Sequence, residues 1–275
     1  MTTALRPLTT GELLDRTFSL YRSHFGLFVG IFAVPYLAVL AYQCVGLIFQ
    51  SPNPRLSNLL MSAVWGLGAW LLTMAVSAAS QAATVVAVSN LHLDRPATIA
   101  DSFSRVKSEV FGVMGLSLLI GMAAGIALIA LIVPGVLLFI MWSLAVPVKV
   151  LENKGVSDSM SRSMDLTKGS RGRIFVIGLL LLVLTIGVSW LLQWPILLAA
   201  GVSMRSGLQT MGIGWRAASL VATFISQSLV GGLGTIALSL VYYDQRVRKE
   251  AFDLQLMMST LDATPVPSSP APVGA

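Results

Sequence analysis

Charge is the scarcest property of this 275-residue chain. Asp, Glu, Lys and Arg make up 11% of it, whereas an ordinary soluble domain contains about 25%. Hydrophobic residues make up 55%, so a soluble domain of normal size does not fit beside the apolar segments. We therefore expect a single polytopic membrane domain over residues 1–262, followed by a disordered, proline-rich tail over 263–275.

Residues that carry common enzyme chemistry are also rare. The single cysteine, Cys44, allows neither an internal disulfide nor a cysteine metal cluster. The two histidines, His24 and His92, lie far apart and lack metal-ligand spacing. The chain has no phosphate-binding glycine loop, nucleophile elbow or paired-histidine motif. We therefore expect no catalytic residues, no metal site and no cofactor. The start of the chain lacks the pattern of a cleaved signal peptide.

Ionisable residues are absent from the deep part of every predicted span. A charge at the middle of a bilayer costs roughly 2.5–3.5 kcal/mol on insertion scales, and proteins keep one there mainly for function. This absence disfavours proton-coupled pumps, voltage sensors and intramembrane metal enzymes. The net charge of +6 comes from basic residues beside the apolar spans, which indicates a membrane surface and no nucleic acid.

The longest apolar stretch, Phe111–Val150, contains one charged residue, Lys149. As one helix it would be roughly 60 Å long, about twice the ~30 Å hydrocarbon core. We therefore expect two spans joined by a tight turn at Pro134-Gly135, where proline stops one helix and glycine permits the reversal. The whole chain is predicted to cross the membrane six times, at about 25–49, 60–90, 111–133, 136–150, 174–194 and 215–243.

Prolines and charges refine these spans. Pro35 is expected to kink the first span, and Pro195 to end the fifth. Residues 196–214 are then expected to lie in the outer interface. The last helix is expected to continue as a charged extension through Asp244–Met257.

Three short amphipathic helices are predicted on one side of the membrane. The first follows the capping box Thr9–Glu12, with Leu14, Phe18, Tyr21 and Phe25 on one face; alternatively it extends the first span. The second starts at Thr98, and the third covers Ser157–Thr167 with Gly169 as its C-cap. Each precedes a basic residue and then an aromatic residue that opens a span: Phe25, Phe111 and Phe175. This indicates either a three-fold repeat of helix pairs or the basic flank that every such span needs.

Charge asymmetry predicts the topology. With six spans, 15 basic residues fall on the side of the N-terminus and three, Arg55, Arg205 and Arg216, on the other. Basic residues favour the cytoplasmic side, so both termini are expected to be cytoplasmic. All twelve carboxylates fall on that side as well.

Polar stripes are the one functional feature predicted inside the membrane. Ser77, Ser80, Gln81 and Thr84 share a face of span two, and Thr223, Ser226 and Gln227 share a face of span six. They are either interhelical hydrogen bonds or the lining of a polar path or a lipid head-group pocket. Ser117, Gly121 and Gly125 form a small-residue face on span three that suits packing within the chain or between two copies.

Three stretches carry a family resemblance: Leu5–Arg22, the block from Pro134-Gly135 through Pro147, Glu152, Arg162-Ser163 and Lys168-Gly169, and Tyr242–Leu254. The chain resembles the membrane domain named after glycerophosphoryl diester phosphodiesterases, found in many bacterial proteins. The resemblance implies the membrane fold and a bacterial plasma membrane. In that family, phosphodiester hydrolysis belongs to a separate soluble barrel with metal-binding carboxylates and histidines.

The function predicted first is that of a non-enzymatic membrane protein that docks partner proteins on its cytoplasmic face. The residues that suggest it are Glu12, Asp15, Arg22, Glu152, Arg162, Arg246, Arg248 and Glu250. These residues could equally form salt bridges that hold the helix ends together. The alternative function is a transporter or lipid-handling permease that uses the polar stripes. A membrane enzyme acting on phosphodiesters is a third. The expected partners are membrane lipids, other proteins or a second copy of the chain.

Overall fold

The computed structural model describes residues 8–49, 56–205 and 213–250, and within these ranges the chain is helical with no strand. The helices there are α1 (Thr10–Ser23), α2 (Phe25–Phe49), α3 (Leu56–His92), α4 (Ile99–Val106), α5 (Val110–Ala130), α6 (Ile132–Met141), α7 (Ala145–Glu152), α8 (Val156–Thr167), α9 (Arg171–Arg205) and α10 (Ile213–Glu250). The predicted tail, Arg55 and the part of the last helix beyond Glu250 lie outside the described residues.

Among the described residues, six stretches are long and apolar enough to cross a bilayer. Helices α2, α3, α5, α9 and α10 each supply one, and α6 and α7 together supply the fourth. Large apolar side chains on their outward faces are exposed, such as Ile129 at 90% and Phe111 at 79%. A lipid-facing surface has this character. The prediction of an all-α, multi-pass membrane protein is confirmed.

The same packing arrangement recurs three times around the molecule. Each short helix packs on the second span of a helix pair. Helices α4 and α8 pack on the spans that precede them, α3 and α7, and α1 packs on α10. The second spans α3, α7 and α10 also contact one another at the centre, with α2, α5 and α9 around them. Helix α1 therefore closes a ring between the beginning and the end of the chain.

The turn between spans three and four lies three residues earlier than predicted. Helix α5 ends at Ala130, Leu131 is extended (φ −155°, ψ 124°), and Pro134 lies in the first turn of α6. A proline ring clashes with the carbonyl four residues before it, so it ends a helix upstream of itself and is tolerated in a first turn. A Cβ on Gly135 would lie 2.5 Å from Cα of Leu128, so this glycine permits close packing instead of the reversal.

Span four is broken, which the prediction of one helix over 136–150 missed. Helix α6 ends at Met141 and α7 begins at Ala145, with Pro147 in the first turn of α7. The hydroxyl of Ser163 on α8 fills the break: it donates to the carbonyl of Met141 (2.8 Å) and accepts from the N–H of Leu144 (3.2 Å).

The fifth span does not end at Pro195, because α9 continues through it to Arg205. Residues 196–205 therefore belong to the same helix as the fifth span, and residues 206–212 lie outside the described ranges. Helix α2 also continues through Pro35. Prolines are tolerated inside membrane helices where neighbouring groups satisfy the freed carbonyls. The predicted extension of the last helix is confirmed as far as Glu250.

Helix α1 is separate from the first span, since the chain leaves helical geometry at His24 (φ −123°, ψ 38°). Its predicted capping box is present: Glu12 N–H donates to the Thr9 hydroxyl (3.3 Å), and Thr9 N–H donates to the Glu12 carboxylate (2.7 Å). The predicted apolar face is shifted, however. Leu13 and Thr17 are buried, whereas Phe18 is 43% exposed, because α1 packs on α10 through the adjacent face.

Helix α4 begins after Thr98 as predicted, and α8 covers the predicted segment with one further residue at its start. The Thr98 side chain accepts a hydrogen bond from Asp101 N–H at the start of α4 (3.2 Å). Gly169 follows α8 with φ +87°, a left-handed conformation that glycine adopts without steric cost. On the small-residue face of span three, no other described helix covers Gly121 or Gly125, because a Cβ at either position would meet nothing within 4 Å.

Candidate functional site

The buried carboxylate of Asp244 joins three separate parts of the chain. It accepts hydrogen bonds from the backbone N–H of Leu8 (2.7 Å), from Nη1 of Arg173 (2.5 Å) and from Nε of Arg248 (2.9 Å). Its side chain is 1% exposed. Arg248 also donates to the carbonyl of Leu8 (2.6 Å). Asp244 thus fixes the segment before α1 and the start of α9 to the end of α10.

A second group of charges joins α7, α8 and α10. Glu152 accepts from the hydroxyl of Tyr242 (3.0 Å) and pairs with Arg162 (3.4 Å). Arg162 also pairs with Glu250, and Glu250 pairs with Arg246 at 3.0 Å. The guanidinium of Arg246 lies 5.7 Å from the ring centroid of Tyr242, a cation–π distance. The ends of these three helices are therefore fixed to one another.

Lys149, the lone charge of the longest apolar stretch, pairs with Glu109 at 3.0 Å, and its side chain is only 8% exposed. A Cβ at Gly112 would lie 2.4 Å from Cε of Lys149, so this glycine makes room for the lysine. We call the nine charged residues of these three groups the ionic layer: Glu109, Lys149, Glu152, Arg162, Arg173, Asp244, Arg246, Arg248 and Glu250.

The predicted docking residues divide into two sets. Five of them belong to the ionic layer: Glu152, Arg162, Arg246, Arg248 and Glu250. Glu12 caps α1. Asp15 and Arg22 are exposed and make no ion pair with another described residue. The five residues of the ionic layer thus form salt bridges within the chain, which was the alternative to docking. Asp15 and Arg22 remain available to a partner.

Sequence reasoning missed four members of this layer: Glu109, Lys149, Arg173 and Asp244. One signal could have found Glu109, because a lone lysine at the end of an apolar stretch needs a nearby carboxylate. No sequence signal places Asp244 beside Leu8, which is 236 positions away.

Tyr21 adds a neutral contact between α1 and α10. Its hydroxyl donates to the backbone carbonyl of Leu229. Burial raises the pKa of Tyr21 above its ordinary value, so the hydroxyl stays protonated and remains a donor. This contact is a further link between α1 and α10, on the part of α10 that precedes the ionic layer.

The stripe on span two faces α2. Ser80 donates to the carbonyl of Ile31 (3.1 Å), the group that Pro35 leaves without its helical donor. Ser77 bonds the hydroxyl of Tyr36 (2.7 Å), and Thr84 donates to the carbonyl of Ser80 within its own helix (2.7 Å). Ser77 and Ser80 therefore satisfy groups of the packed helix α2, whereas Thr84 satisfies a carbonyl of its own helix.

The stripe on span six faces α9. Ser226 bonds Ser189 (2.8 Å), and Thr223 accepts from Nε2 of Gln193 (2.8 Å). The structure thus places the two predicted stripes at different helix interfaces and does not bring them together.

Gln81 and Gln227 make no side-chain hydrogen bond with another described residue. Their depths differ, because the hydroxyls of Tyr243 and Ser89 are 2.8 Å apart and align the parallel helices α10 and α3. Gln81 precedes Ser89 by eight positions and Gln227 precedes Tyr243 by sixteen. At 1.5 Å per residue, the two glutamines differ in depth by about 12 Å.

Among the described residues, no three His, Cys, Asp or Glu side chains come close enough together to hold a metal ion. The arrangement joins helix ends through charge pairs at one end of the molecule and through neutral hydrogen bonds inside it. No family model matches the chain, and no curated protein or solved structure matches it either.

Proposed function

We propose that this protein is a non-enzymatic membrane component that docks partner proteins on its charged end. The observation that carries the proposal is the ionic layer. It fixes the ends of α7, α8, α9 and α10, together with the segment before α1, into one platform. Charged side chains outside the layer stay exposed on that platform: Asp15, Arg22, Arg95, Lys107 and Lys168. A rigid surface with exposed charges of both signs suits recognition of a soluble partner, since it loses little entropy on binding.

The same proposal assigns the charged end to the cytoplasm of a bacterial plasma membrane. The basic residues concentrated there support this orientation. The bacterial assignment rests on the resemblance to the membrane domain named after glycerophosphoryl diester phosphodiesterases, and membership of that family is part of the proposal.

Co-purification after gentle extraction tests the docking function. One variant reverses the exposed charges of α1, Asp15→Lys with Arg22→Glu, and another reverses those at the end of α4, Arg105→Glu with Lys107→Glu. We expect at least one of them to lose a stoichiometric partner while thermal melting is unchanged. Arg216→Glu, at the opposite end, is the matched control and should keep the partner. Retention of the partner by both charge-reversal variants would contradict docking on this surface.

Lipid handling is the second candidate function. The observation that favours it is the presence of two glutamines, Gln81 and Gln227, that lie in membrane spans without a hydrogen bond to a described side chain. Flipping of a fluorescent phospholipid by the chain in liposomes tests it. We expect Gln81→Leu with Gln227→Leu to abolish flipping and Ser80→Ala to preserve it. Flipping that survives the double substitution would assign the glutamines to packing alone.

A further inference from the structure

An open cavity of about 380 Å³ lies between α2, α3 and α10, at the end of the molecule opposite the ionic layer. Its walls combine apolar and polar groups. The lining residues are Gln43, Leu47, Ser62, Trp65, Gly66, Ala69, Arg216, Ser219 and Leu220. None of them belongs to the predicted polar stripes or to the ionic layer.

One wall of the cavity is firmly held. The ring of Trp65 stacks on Tyr42 with centroids 4.3 Å apart, and the Tyr42 hydroxyl donates to the Trp65 carbonyl (3.3 Å). A Cβ at Gly46 would lie 2.1 Å from Nε1 of Trp65, so this glycine lets the indole lie directly on α2. The tryptophan therefore forms a fixed apolar surface beside the cavity.

Arg216 brings a positive charge to the cavity and makes no ion pair with another described residue. The sequence has no Asp or Glu at positions 16–93 or 166–243, so the segments around the cavity supply no carboxylate. Arg216 also lies in the first turn of α10, where the helix dipole adds positive potential. An anion is the partner that this site lacks.

The depth of the cavity matches a lipid head group. Ala69 and Ser62 precede Ser89, at the charged end of α3, by 20 and 27 positions. At 1.5 Å per residue this is roughly 30–40 Å, about the hydrocarbon thickness of a bilayer or slightly more. On α3, exposed Val64 (68%) and Leu67 (57%) flank Gly66, so the cavity borders the lipid-facing surface.

We propose that this cavity binds an anionic phospholipid of the leaflet at that end. Arg216 binds its phosphate, Gln43 and Ser62 lie within the cavity as polar partners for its head group, and the acyl chain follows the apolar wall of Leu47, Ala69 and Leu220. The site is independent of the docking function, because it lies at the other end of the molecule.

Photo-crosslinking in nanodiscs tests the site. The full chain is placed in phosphatidylcholine nanodiscs with a small fraction of phosphatidylglycerol that carries a diazirine in its acyl chain. Peptides around residues 62–69 or 216–220 are expected to be labelled. Arg216→Gln should lower the labelling about tenfold, as expected for the loss of one charge-assisted contact. The matched control Arg95→Gln, at the charged end, should leave it unchanged.

A second pair of variants tests the cavity independently of charge. A Cβ at Gly66 or at Gly121 meets nothing within 4 Å, but only Gly66 lines the cavity. Gly66→Leu should therefore block labelling, whereas Gly121→Leu should keep it. Labelling that Arg216→Gln and Gly66→Leu leave intact would overturn the site. Displacement of the lipid by millimolar glycerol phosphate would overturn the choice of a lipid in favour of a soluble phosphate ester.

Discussion

The ionic layer and the polar stripes are both made of polar side chains, yet they organise the molecule in different ways. In the stripes, the hydroxyls of Thr84 and Thr223 donate to carbonyls of their own helices. Others, such as Ser80, reach only the adjacent span. In the ionic layer, Asp244 binds groups 71 and 236 positions away. The stripes thus support individual helices and pairs, whereas the ionic layer decides how distant parts of the chain assemble.

This difference bears on function as well. A neutral hydrogen bond between two membrane helices contributes about 0.6 kcal/mol on average. Charge pairs that are largely removed from solvent are costly to break, because one partner then remains as an uncompensated buried charge. The charged end is therefore expected to be the rigid part of the protein, and a rigid end suits a docking surface.

Among the substitutions that test this comparison, Asp244→Asn should lower the stability of the protein most. The substitution leaves Arg173 and Arg248 without their carboxylate, and we expect it to lower the free energy of unfolding by about 3 kcal/mol. Asp15→Asn, on the exposed face of α1, should change it by less than about 0.5 kcal/mol. Unfolding in bicelles measured by steric trapping compares the two. Equal stability of both variants would remove the basis for a rigid charged end.

Ser163→Ala tests whether a contact between distant segments stabilises the protein even when no charge is involved. Ser163 is neutral, and it joins α8 to the break in span four. The change leaves the N–H of Leu144 without a partner and the carbonyl of Met141 with only the longer bond from the Thr167 hydroxyl (3.4 Å), and it should cost about 1–3 kcal/mol. Ser159 is equally buried on α8 but bonds a carbonyl at the start of that helix, Gly155 (2.7 Å). Ser159→Ala should cost clearly less in the same assay. The reverse order would show that the bond across the break contributes little.

Ser80→Ala tests the stripe at its most demanding position. It removes the donor to the carbonyl that Pro35 frees in α2, and we expect a loss of about 0.6–1.7 kcal/mol. Pro35→Ala in the same background should restore most of the loss, since the alanine N–H can then donate to Ile31. A double-mutant cycle measures this coupling. Strictly additive effects would mean that Ser80 does not compensate for the proline.

Arg105→Ala should have the smallest effect. Arg105 pairs with Asp101 at 3.1 Å, but the two side chains are 57% and 39% exposed. An exposed pair four residues apart on a helix contributes about 0.3–0.5 kcal/mol and weakens with salt. Thermal melting at low and high salt checks this. A loss as large as that of Asp244→Asn would show that exposure does not separate the two kinds of charge pair.

Local signals in the sequence predicted much of the fold. The cap at Thr9, the left-handed Gly169 and the apolar spans all depend on neighbouring residues, so they are readable from short stretches. The positions of the helix breaks were harder to predict. Pro134 and Pro147 act on the chain before them, whereas α9 accommodates Pro195 inside a continuous helix. Whether a proline ends a helix depends on neighbours that only the fold supplies.

The candidate site was less accessible to sequence reasoning. Composition identified the charged segments, and five of the residues singled out there do form ion pairs. It could not separate Arg248, engaged with Asp244, from Arg22, which is exposed, because the difference arises from packing between distant segments. The stripes show the same limit. Spacing placed Ser80 and Ser226 on polar faces, but only the structure shows that those faces meet different helices.

The packing of α1 on α10 has a consequence for biosynthesis. Helix α1 is synthesised long before its partner α10, so Leu8 cannot meet Asp244 until α10 has been made. Until then, the earlier spans lie in the membrane without their contacts to α10. A chain released early would carry an unsatisfied edge, which is the kind of feature that membrane quality-control proteases can recognise. Closure of the ring thus waits for the synthesis of α10.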